Sequence, residues 1–151
     1  LYVDDILIWG KDPISTIENL KEEYILKGVG KPNFFLGGNV DYLDEHWNCD
    51  GINIGFSADT YIKNLIPKFE AILKWEFRQY NTPMIENAHP ELDTALFLNK
   101  KLTSIIREIT GSLNWLLTLR RFDIAYATST LTRFNMQARE GHLYDAKRIL
   151  G

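Results

Sequence analysis

The spacing of the hydrophobic residues changes along this sequence, and this change constrains the fold more than any other feature. Before residue 57, short runs rich in β-branched and aromatic residues alternate with glycines and turn residues, which is typical of strands. Beyond residue 100, apolar residues recur at the spacing of helices. The predicted helical stripes comprise Ile105, Ile106, Ile109, Leu113, Leu116 and Leu117, then Ile124, Ala127, Leu131 and Phe134, with a third helix from near Gly141. Strands followed by helices predict an α+β fold.

The first ten residues, LYVDDILIWG, place two adjacent aspartates inside an apolar run. The flanking residues favour strands and aspartate tolerates turns, so the stretch predicts a hairpin with Asp4 and Asp5 as its two-residue turn. Two interpretations stay open on these residues alone. The aspartates either face water as ordinary turn residues, or they supply hard oxygen ligands to a divalent cation such as magnesium.

A helix and a second hairpin are predicted to follow. The Asp12-Pro13 pair is a helix-start signal, and the glycines at Gly28 and Gly30 are predicted to stop that helix. Residues 33–56 predict a hairpin around the acidic turn DEHWNCD.

The next predicted helix contains a proline. Ser57 is predicted to cap this helix, and Pro67 is expected to end or kink it. The stretch YNTPMIENAHPELD then predicts a loop, because the residues before its prolines favour extended backbone.

Composition limits the class of protein. The chain has 151 residues, of which 45% are hydrophobic, enough for one ordinary core, and it contains no apolar run of membrane-spanning length. The single Cys49 excludes an internal disulfide and suits a reducing compartment. His46 and Cys49 are two candidate zinc ligands without partners, which is weak evidence for zinc.

Charge is distributed unevenly along the chain. The net charge is −3, but residues 100–151 carry nine Lys or Arg against four Asp or Glu, hence +5, whereas residues 1–99 carry −8. A basic part beside an acidic part fits a protein that contacts phosphates with one and metal ions with the other. Solvated charges on exposed faces are the alternative explanation, and the sequence leaves both open.

Several motifs in a fixed order resemble the reverse transcriptases of copia-type retrotransposons (pseudoviruses). The YVDD of residues 2–5 resembles the Tyr-x-Asp-Asp box of these enzymes, and Phe35-Leu36-Gly37 resembles their Phe-Leu-Gly strand. The resemblance extends over nearly the whole chain through the segments GINIGFSADTYIKNLIPKF, NTPM, REITGSLNWLLTLRRFDIAYATSTLTRF and GHLYDAKRIL.

This resemblance implies a two-metal nucleotidyl transfer in the intact enzyme. Asp4 and Asp5 would be two of the three palm aspartates that hold two magnesium or manganese ions, and therefore catalytic residues. Tyr2 and Val3 would lie beside the primer terminus.

The resemblance also implies contacts to the nucleic acid. Residues 33–56 would form a primer-grip hairpin, in which Phe35, Leu36 and Gly37 help to place the last nucleotide within reach of the metals. Candidate phosphate contacts are Arg107, Arg120, Arg121 and Arg133, although helical arginines are commonly solvated or paired.

Three parts are implied along the chain. Residues 1–56 would be a partial polymerase palm, residues 57–99 a helix and a proline-containing loop, and residues 100–151 an all-helical thumb or connection region. Because the sequence begins without methionine in mid-strand, we expect a piece of a longer polyprotein. The third aspartate and the fingers are expected upstream, and a ribonuclease H domain downstream.

The resulting hypothesis is a fragment of an RNA-directed DNA polymerase that is inactive by itself. Its expected partners are an RNA or DNA template with its primer, deoxynucleoside triphosphates and the rest of the polyprotein, with no membrane. Its expected location is the cytoplasmic virus-like particle, or the nucleus together with the integration complex. The alternatives are a non-catalytic nucleic-acid-binding module and a degenerate transposon remnant.

Overall fold

The chain folds as two units, Leu1–Ser57 and Ala58–Gly151, which are called unit 1 and unit 2 below. The computed structural model describes residues 5–43 and 53–151. These residues combine helices with a small antiparallel sheet. Their assignment to a palm and a thumb stays a prediction.

The described residues of unit 1 form one helix and a three-stranded sheet. Helix α1 spans Pro13–Glu23, and the strands are β1 (Phe34–Phe35), β2 (Gly38–Leu43) and β3 (Asn53–Ser57). The strand order is β1-β2-β3, and both neighbouring pairs are antiparallel. The predicted hairpin of residues 33–56 is thus formed by β2 and β3, while its acidic turn lies outside the described residues.

Helix α1 begins where the sequence predicted but ends earlier. Oδ1 of Asp12 accepts a hydrogen bond from the backbone N–H of Ser15 at 3.1 Å, so the predicted cap is confirmed. The predicted end at Gly28 is wrong, because the backbone is already extended at Tyr24. No residue of α1 is buried, so no tertiary packing extends the helix to the glycines.

The hairpin predicted for the first ten residues is wrong in its second half. Residues 6–9 have no regular secondary structure, although their composition favours strands. Ile6 and Trp9 are exposed, and the sheet of the described residues consists of β1, β2 and β3. Strand propensity reflects packing on a sheet, and that packing is missing for these side chains. Residues 1–4 lie outside the described residues.

Unit 2 is helical. Its helices are α2 (Asp59–Leu73), α3 (Lys100–Thr118), α4 (Ala125–Thr132) and α5 (Glu140–Leu150), with short 3₁₀ turns at Pro90–Leu92 and Phe122–Ile124. None of the described helices is long and apolar enough to cross a membrane.

The core of unit 2 follows the predicted stripes. The buried members of the α3 stripe are Ile105, Ile106, Ile109, Leu113 and Leu116, which confirms the helical periodicity. Ile124, Ala127 and Leu131 of the second stripe are buried as well. Phe134 belongs to the same stripe in the sequence but lies beyond the end of α4.

Helix α2 begins differently from the prediction, and of the two outcomes expected at Pro67, an end of the helix is wrong. Ser57 belongs to β3, and the N-cap is Ala58, whose side chain cannot accept a hydrogen bond. The helix also continues through Pro67 instead of ending there. Leu65 and Phe69, on either side of the proline, are buried. The free energy gained by burying them offsets the roughly 3 kcal/mol by which a proline in the interior destabilises a helix.

Candidate functional site

The predicted metal ligands are only partly within the described residues. Tyr2, Val3 and Asp4 lie outside them, and the side chain of Asp5 is exposed. Within residues 5–43 and 53–151, no three His, Cys, Asp or Glu side chains are grouped closely enough to hold a metal ion. One carboxylate does not fit a two-ion site, so the described residues alone would not hold these ions, and the metal site stays a prediction.

The Phe-Leu-Gly motif forms a tight turn between strands. Leu36 and Gly37 have φ angles of 49° and 84°, and they connect β1 to β2. Positive φ at both central residues is the geometry of the two-residue hairpin turns that suit the twist of antiparallel strands. The expectation of a strand at Leu36 is therefore wrong, whereas Phe35 pairs with Gly38 in the ladder.

Gly38, the residue after this motif, is required for a different reason. A Cβ atom at Gly38 would overlap the ring of Phe56, which lies across it from β3. Gly37 thus serves the turn, and Gly38 admits an aromatic ring against the backbone. The pair sets the shape of the predicted primer-grip hairpin through two separate constraints.

The hairpin is also held by contacts of Tyr42 on β2. The Tyr42 hydroxyl donates a hydrogen bond to the backbone oxygen of Pro32 at 2.8 Å. The Lys31 ammonium lies 3.7 Å from the centre of the Tyr42 ring, within cation–π range. Tyr42 therefore holds the residues that precede β1, Lys31 and Pro32, against β2.

Two of the four predicted phosphate contacts are engaged within the protein. Nε of Arg107 donates to the backbone oxygen of Asn135 at 3.0 Å. Arg121 makes two parallel bonds to the carboxylate of Asp123, at 2.9 and 2.7 Å. The Arg121 guanidinium lowers the pKa of Asp123, and the same hydrogen bonds raise the pKa of Arg121.

The other two predicted contacts are more available. Arg120 is exposed, has a positive φ of 70°, and forms no ion pair with any residue in the described ranges. Arg133 is exposed, and its guanidinium lies 5.9 Å from the centre of the Phe134 ring. Only Arg120 and Arg133 of the predicted set therefore present cations that could pair with a phosphate without first losing a protein partner.

The basic residues of α5 are used internally as well. The Lys147 ammonium lies 3.4 Å from the centre of the Trp75 ring, and burial lowers the pKa of this lysine. Arg148 lies over the Tyr80 ring at 4.4 Å and donates to the Thr82 hydroxyl at 3.1 Å. The positive charges of Lys147 and Arg148 are thus engaged within the protein.

His142 connects the start of α5 to the segment before α3. Its Nδ1 accepts a hydrogen bond from the backbone N–H of Arg139 at 3.0 Å, and its Nε2 donates to the backbone oxygen of Pro90 at 2.9 Å. The ring stacks on Phe134 with centroids 4.1 Å apart and is almost fully buried. Because these contacts occupy both ring nitrogens, His142 has a structural role.

A recess of about 340 Å³ opens beside this connection. It is lined by the segment Pro90–Phe97, by the turn after α4, and by the first turn of α5. The side chains that matter below are Glu91, Asp93, Phe97, Arg133, Met136 and Arg139.

Sequence reasoning did not detect the residues that build this connection. Gly141 was read as a helix start, but a Cβ atom there would overlap the carboxylate of Asp93. Arg139 was not singled out, although it bonds the backbone oxygen of Ala95 and lies over the Phe97 ring at 3.7 Å. No local signal marks such contacts, because their partners are more than forty residues apart in the sequence.

Comparison with known proteins shows that the chain is similar in sequence to transposon proteins along almost its whole length. It is 33% identical, over 155 aligned residues, to the retrovirus-related Pol polyprotein from transposon RE1 of Arabidopsis thaliana, and the alignment covers 99% of the chain and 10% of that polyprotein. It is 31% identical, over 154 residues, to the transposon Ty5-1 protein of Saccharomyces cerevisiae, covering 99% of the chain and 46% of that protein. The chain thus spans less than half the length of either of these curated relatives. No family model and no solved structure matches the chain.

Proposed function

Because the chain is a homologue of copia-type transposon polyproteins along almost its whole length, as its motifs predicted, we propose that it is part of a reverse transcriptase. The observation that carries this proposal is the YVDD box at residues 2–5, at the head of a chain of which 99% aligns with a transposon Pol polyprotein. In the intact polyprotein the activity would be RNA-directed DNA synthesis on a primed template, from deoxynucleoside triphosphates.

The chemistry that we propose depends on divalent ions. Two bound magnesium or manganese ions would activate the primer hydroxyl and stabilise the leaving pyrophosphate. Asp4 and Asp5 would ligate them, together with a carboxylate contributed by another part of the polyprotein. Because the third aspartate and the fingers would come from another part of the polyprotein, we propose that the chain alone does not polymerise.

The hairpin of β1, β2 and β3 would position the primer. Its support is geometric: a two-residue turn at Leu36 and Gly37, and a rigid base where Gly38 admits the Phe56 ring. A hairpin that is already ordered before binding can hold the primer strand without a further loss of its own conformational entropy. Positioning of this kind lowers a reaction barrier.

A chimera tests the proposal directly. This sequence would replace the aligned segment of the transposon RE1 Pol polyprotein, and extension of a primed template would be measured with magnesium. We expect extension by the chimera, its loss in Asp4→Asn and Asp5→Asn, and its retention in Glu22→Gln, an exposed carboxylate of α1 that serves as the control.

Two results would contradict the proposal. If extension survives both aspartate substitutions, Asp4 and Asp5 are not required for catalysis. A chimera that binds primed template but never extends it, beside an active parental polyprotein, would deny polymerase chemistry to this segment.

A non-catalytic nucleic-acid-binding role is the second candidate, and the exposed Arg120 favours it. Duplex affinity should then fall steeply with salt, because each phosphate contact releases counterions, and it should survive Asp4→Asn. Arg120→Ala should reduce the salt slope by about one unit. Arg121→Ala is the matched control, since that guanidinium is already paired with Asp123. Equal slopes for both variants would exclude Arg120 as a phosphate contact.

A further inference from the structure

The recess between the segment Pro90–Phe97 and the start of α5 has the size and lining of a ligand site. Its volume of about 340 Å³ falls in the range of small-molecule cavities. It combines apolar side chains with groups that can donate and accept hydrogen bonds. All of its lining residues belong to unit 2.

Phe97 is the most unusual residue of this lining. Its side chain is 58% exposed, so it contributes little to the core of unit 2. Its backbone is nevertheless held firmly, by a β-bridge to Arg139 and by a hydrogen bond from the next residue, Leu98, to the backbone oxygen of Ala138 at 2.9 Å. An exposed ring on a fixed backbone is suited to contact a partner without losing further conformational freedom.

Arg139 supports this ring from one side. Its guanidinium lies 3.7 Å from the ring centre and donates a hydrogen bond to the backbone oxygen of Ala95. A planar cation stacked on one face of an aromatic ring holds the ring in one orientation. The result is a fixed aromatic platform at the edge of the recess.

Met136 borders the same recess and is 77% exposed. Its sulfur accepts a hydrogen bond from Nη2 of Arg107 at 3.4 Å, and the Arg107 side chain also bonds the backbone of Asn135. The thioether is therefore positioned, while its methyl end remains a polarizable apolar contact. Phe97 and Met136 together offer an apolar lining that a flat group can contact.

Charges around the recess are balanced, which indicates what can enter it. Glu91 is hydrogen-bonded to His89 at 2.9 Å, and Oδ1 of Asp93 accepts from the backbone N–H of Ala95 at 2.8 Å. Arg133 forms no salt bridge with a described residue, and its guanidinium lies 5.9 Å from the centre of the Phe134 ring. The pKa of Glu91 is lowered chiefly by the hydrogen bond to His89 and also by the charge of Arg133. Two carboxylates beside two guanidiniums leave this lining balanced in charge, which suits a neutral group with both donors and acceptors.

We infer that this recess binds an unpaired base of a single-stranded nucleic acid, stacked on Phe97, with the adjoining phosphate near Arg133. A nucleobase is flat and uncharged, has donors and acceptors on its edge, and is joined to a phosphate. Stacking on exposed aromatic side chains is the general way in which proteins hold single strands. The inference rests on the proposed function, because that function is the reason to expect a nucleic acid as the ligand.

The test is binding of the 151-residue chain to two fluorescent oligonucleotides, one single-stranded and one duplex, at one fixed salt concentration. Phe97→Ala should weaken single-strand binding about tenfold, the loss expected for one stacked base, and should leave duplex binding unchanged. Phe97→Trp should restore single-strand binding, because it keeps the platform. Phe122→Ala is the matched control: Phe122 is also exposed, at 70%, and does not line the recess.

A second readout locates the base. An oligonucleotide with 5-iodouracil at one position should photocrosslink to the peptide that contains Phe97, and crosslinking should disappear in Phe97→Ala. Unchanged circular dichroism of the variants would verify that the fold is intact.

Each other outcome overturns the inference in a distinguishable way. If Phe97→Ala and Phe122→Ala bind single strands as the unsubstituted chain does, the recess is not the base site, and the proposed function is untouched. If single-strand and duplex binding fall together, Phe97 does not select unpaired bases. If the unsubstituted chain binds neither oligonucleotide, both the recess and nucleic-acid binding by this chain are refuted.

Discussion

Replacing Gly141 by alanine is expected to destabilise unit 2, although alanine is the better helix former. Gly141 lies in the first turn of α5, and a Cβ atom placed there would overlap the carboxylate of Asp93. This carboxylate has little freedom to retreat. Its Oδ1 accepts the backbone N–H of Ala95 at 2.8 Å, and its Oδ2 is buried.

The size of the expected loss in stability follows from three effects of the Gly141→Ala substitution, one favourable and two unfavourable. Alanine favours a helix by up to about 1 kcal/mol relative to glycine. Overpacking a tight site disfavours the fold by about 1–3 kcal/mol, and losing the Asp93–Ala95 hydrogen bond adds about 1 kcal/mol. The net expectation is a loss of about 1–3 kcal/mol in the free energy of unfolding, a drop of about 4–24 °C in the melting temperature of a unit this small.

Gly111 provides the internal control, because the same substitution there should have the opposite sign. It lies in the middle of α3, and an added Cβ atom would meet nothing within 4 Å. Close packing therefore does not explain this glycine. Gly111→Ala should raise the free energy of unfolding by about 1 kcal/mol.

The assay is urea denaturation followed by circular dichroism at the helix band, which reports mainly on unit 2. Gly141→Ala would be measured alone and in an Asp93→Ala background, as a double-mutant cycle. Removing the carboxylate should relieve the clash, so that Gly141→Ala becomes neutral or stabilising. Two results would refute the reasoning: Gly141→Ala stabilising as Gly111→Ala does, or the same loss with and without Asp93.

Three further substitutions probe the packing of unit 2 by the same denaturation assay. His142→Leu should destabilise by about 2–4 kcal/mol, because it leaves two backbone groups without their partners, and a loss below about 0.5 kcal/mol would exclude a structural role. Asp145→Asn should stabilise near pH 7, because burial raises the pKa of this carboxyl above 3.8 and stability falls as pH rises through that raised value. Its gain should vanish as the pH drops to about 3.8, and a gain independent of pH would show another cause. Pro67→Ala should stabilise by about 1–2 kcal/mol, since the restored helical hydrogen bond outweighs the added freedom of the unfolded chain, whereas a loss would mean that the ring packs favourably.

Some features of the candidate site were predictable because they depend on near neighbours in the sequence. The cap at Asp12 requires only the three residues that follow it. The buried face of α3 follows from periodicity alone, and the order of the motifs identified the transposon relatives. The metal ligands, the primer grip and the polymerase activity stay predictions, since the relatives support the polyprotein and not the chemistry of this segment.

Other features were misread because a local signal competes with distant contacts. Pro67 signals a helix end, but burial of Leu65 and Phe69 carries α2 through it. The basic charge of residues 100–151 suggests a phosphate-binding face. In the structure Lys147 and Arg148 instead contact Trp75, Tyr80 and Thr82, more than sixty residues away.

The sequence by itself determined the kind of elements, the buried face of α3 and the family of relatives, because periodicity, capping and motif order are properties of neighbouring residues. Only the tertiary structure decided which cations remain available, why Gly38 and Gly141 must be glycine, and that Phe97 stands exposed on Arg139. The physical reason is that a charge, a ring or a missing Cβ acquires its role from the atoms packed against it. Those atoms come from parts of the chain that no local pattern connects.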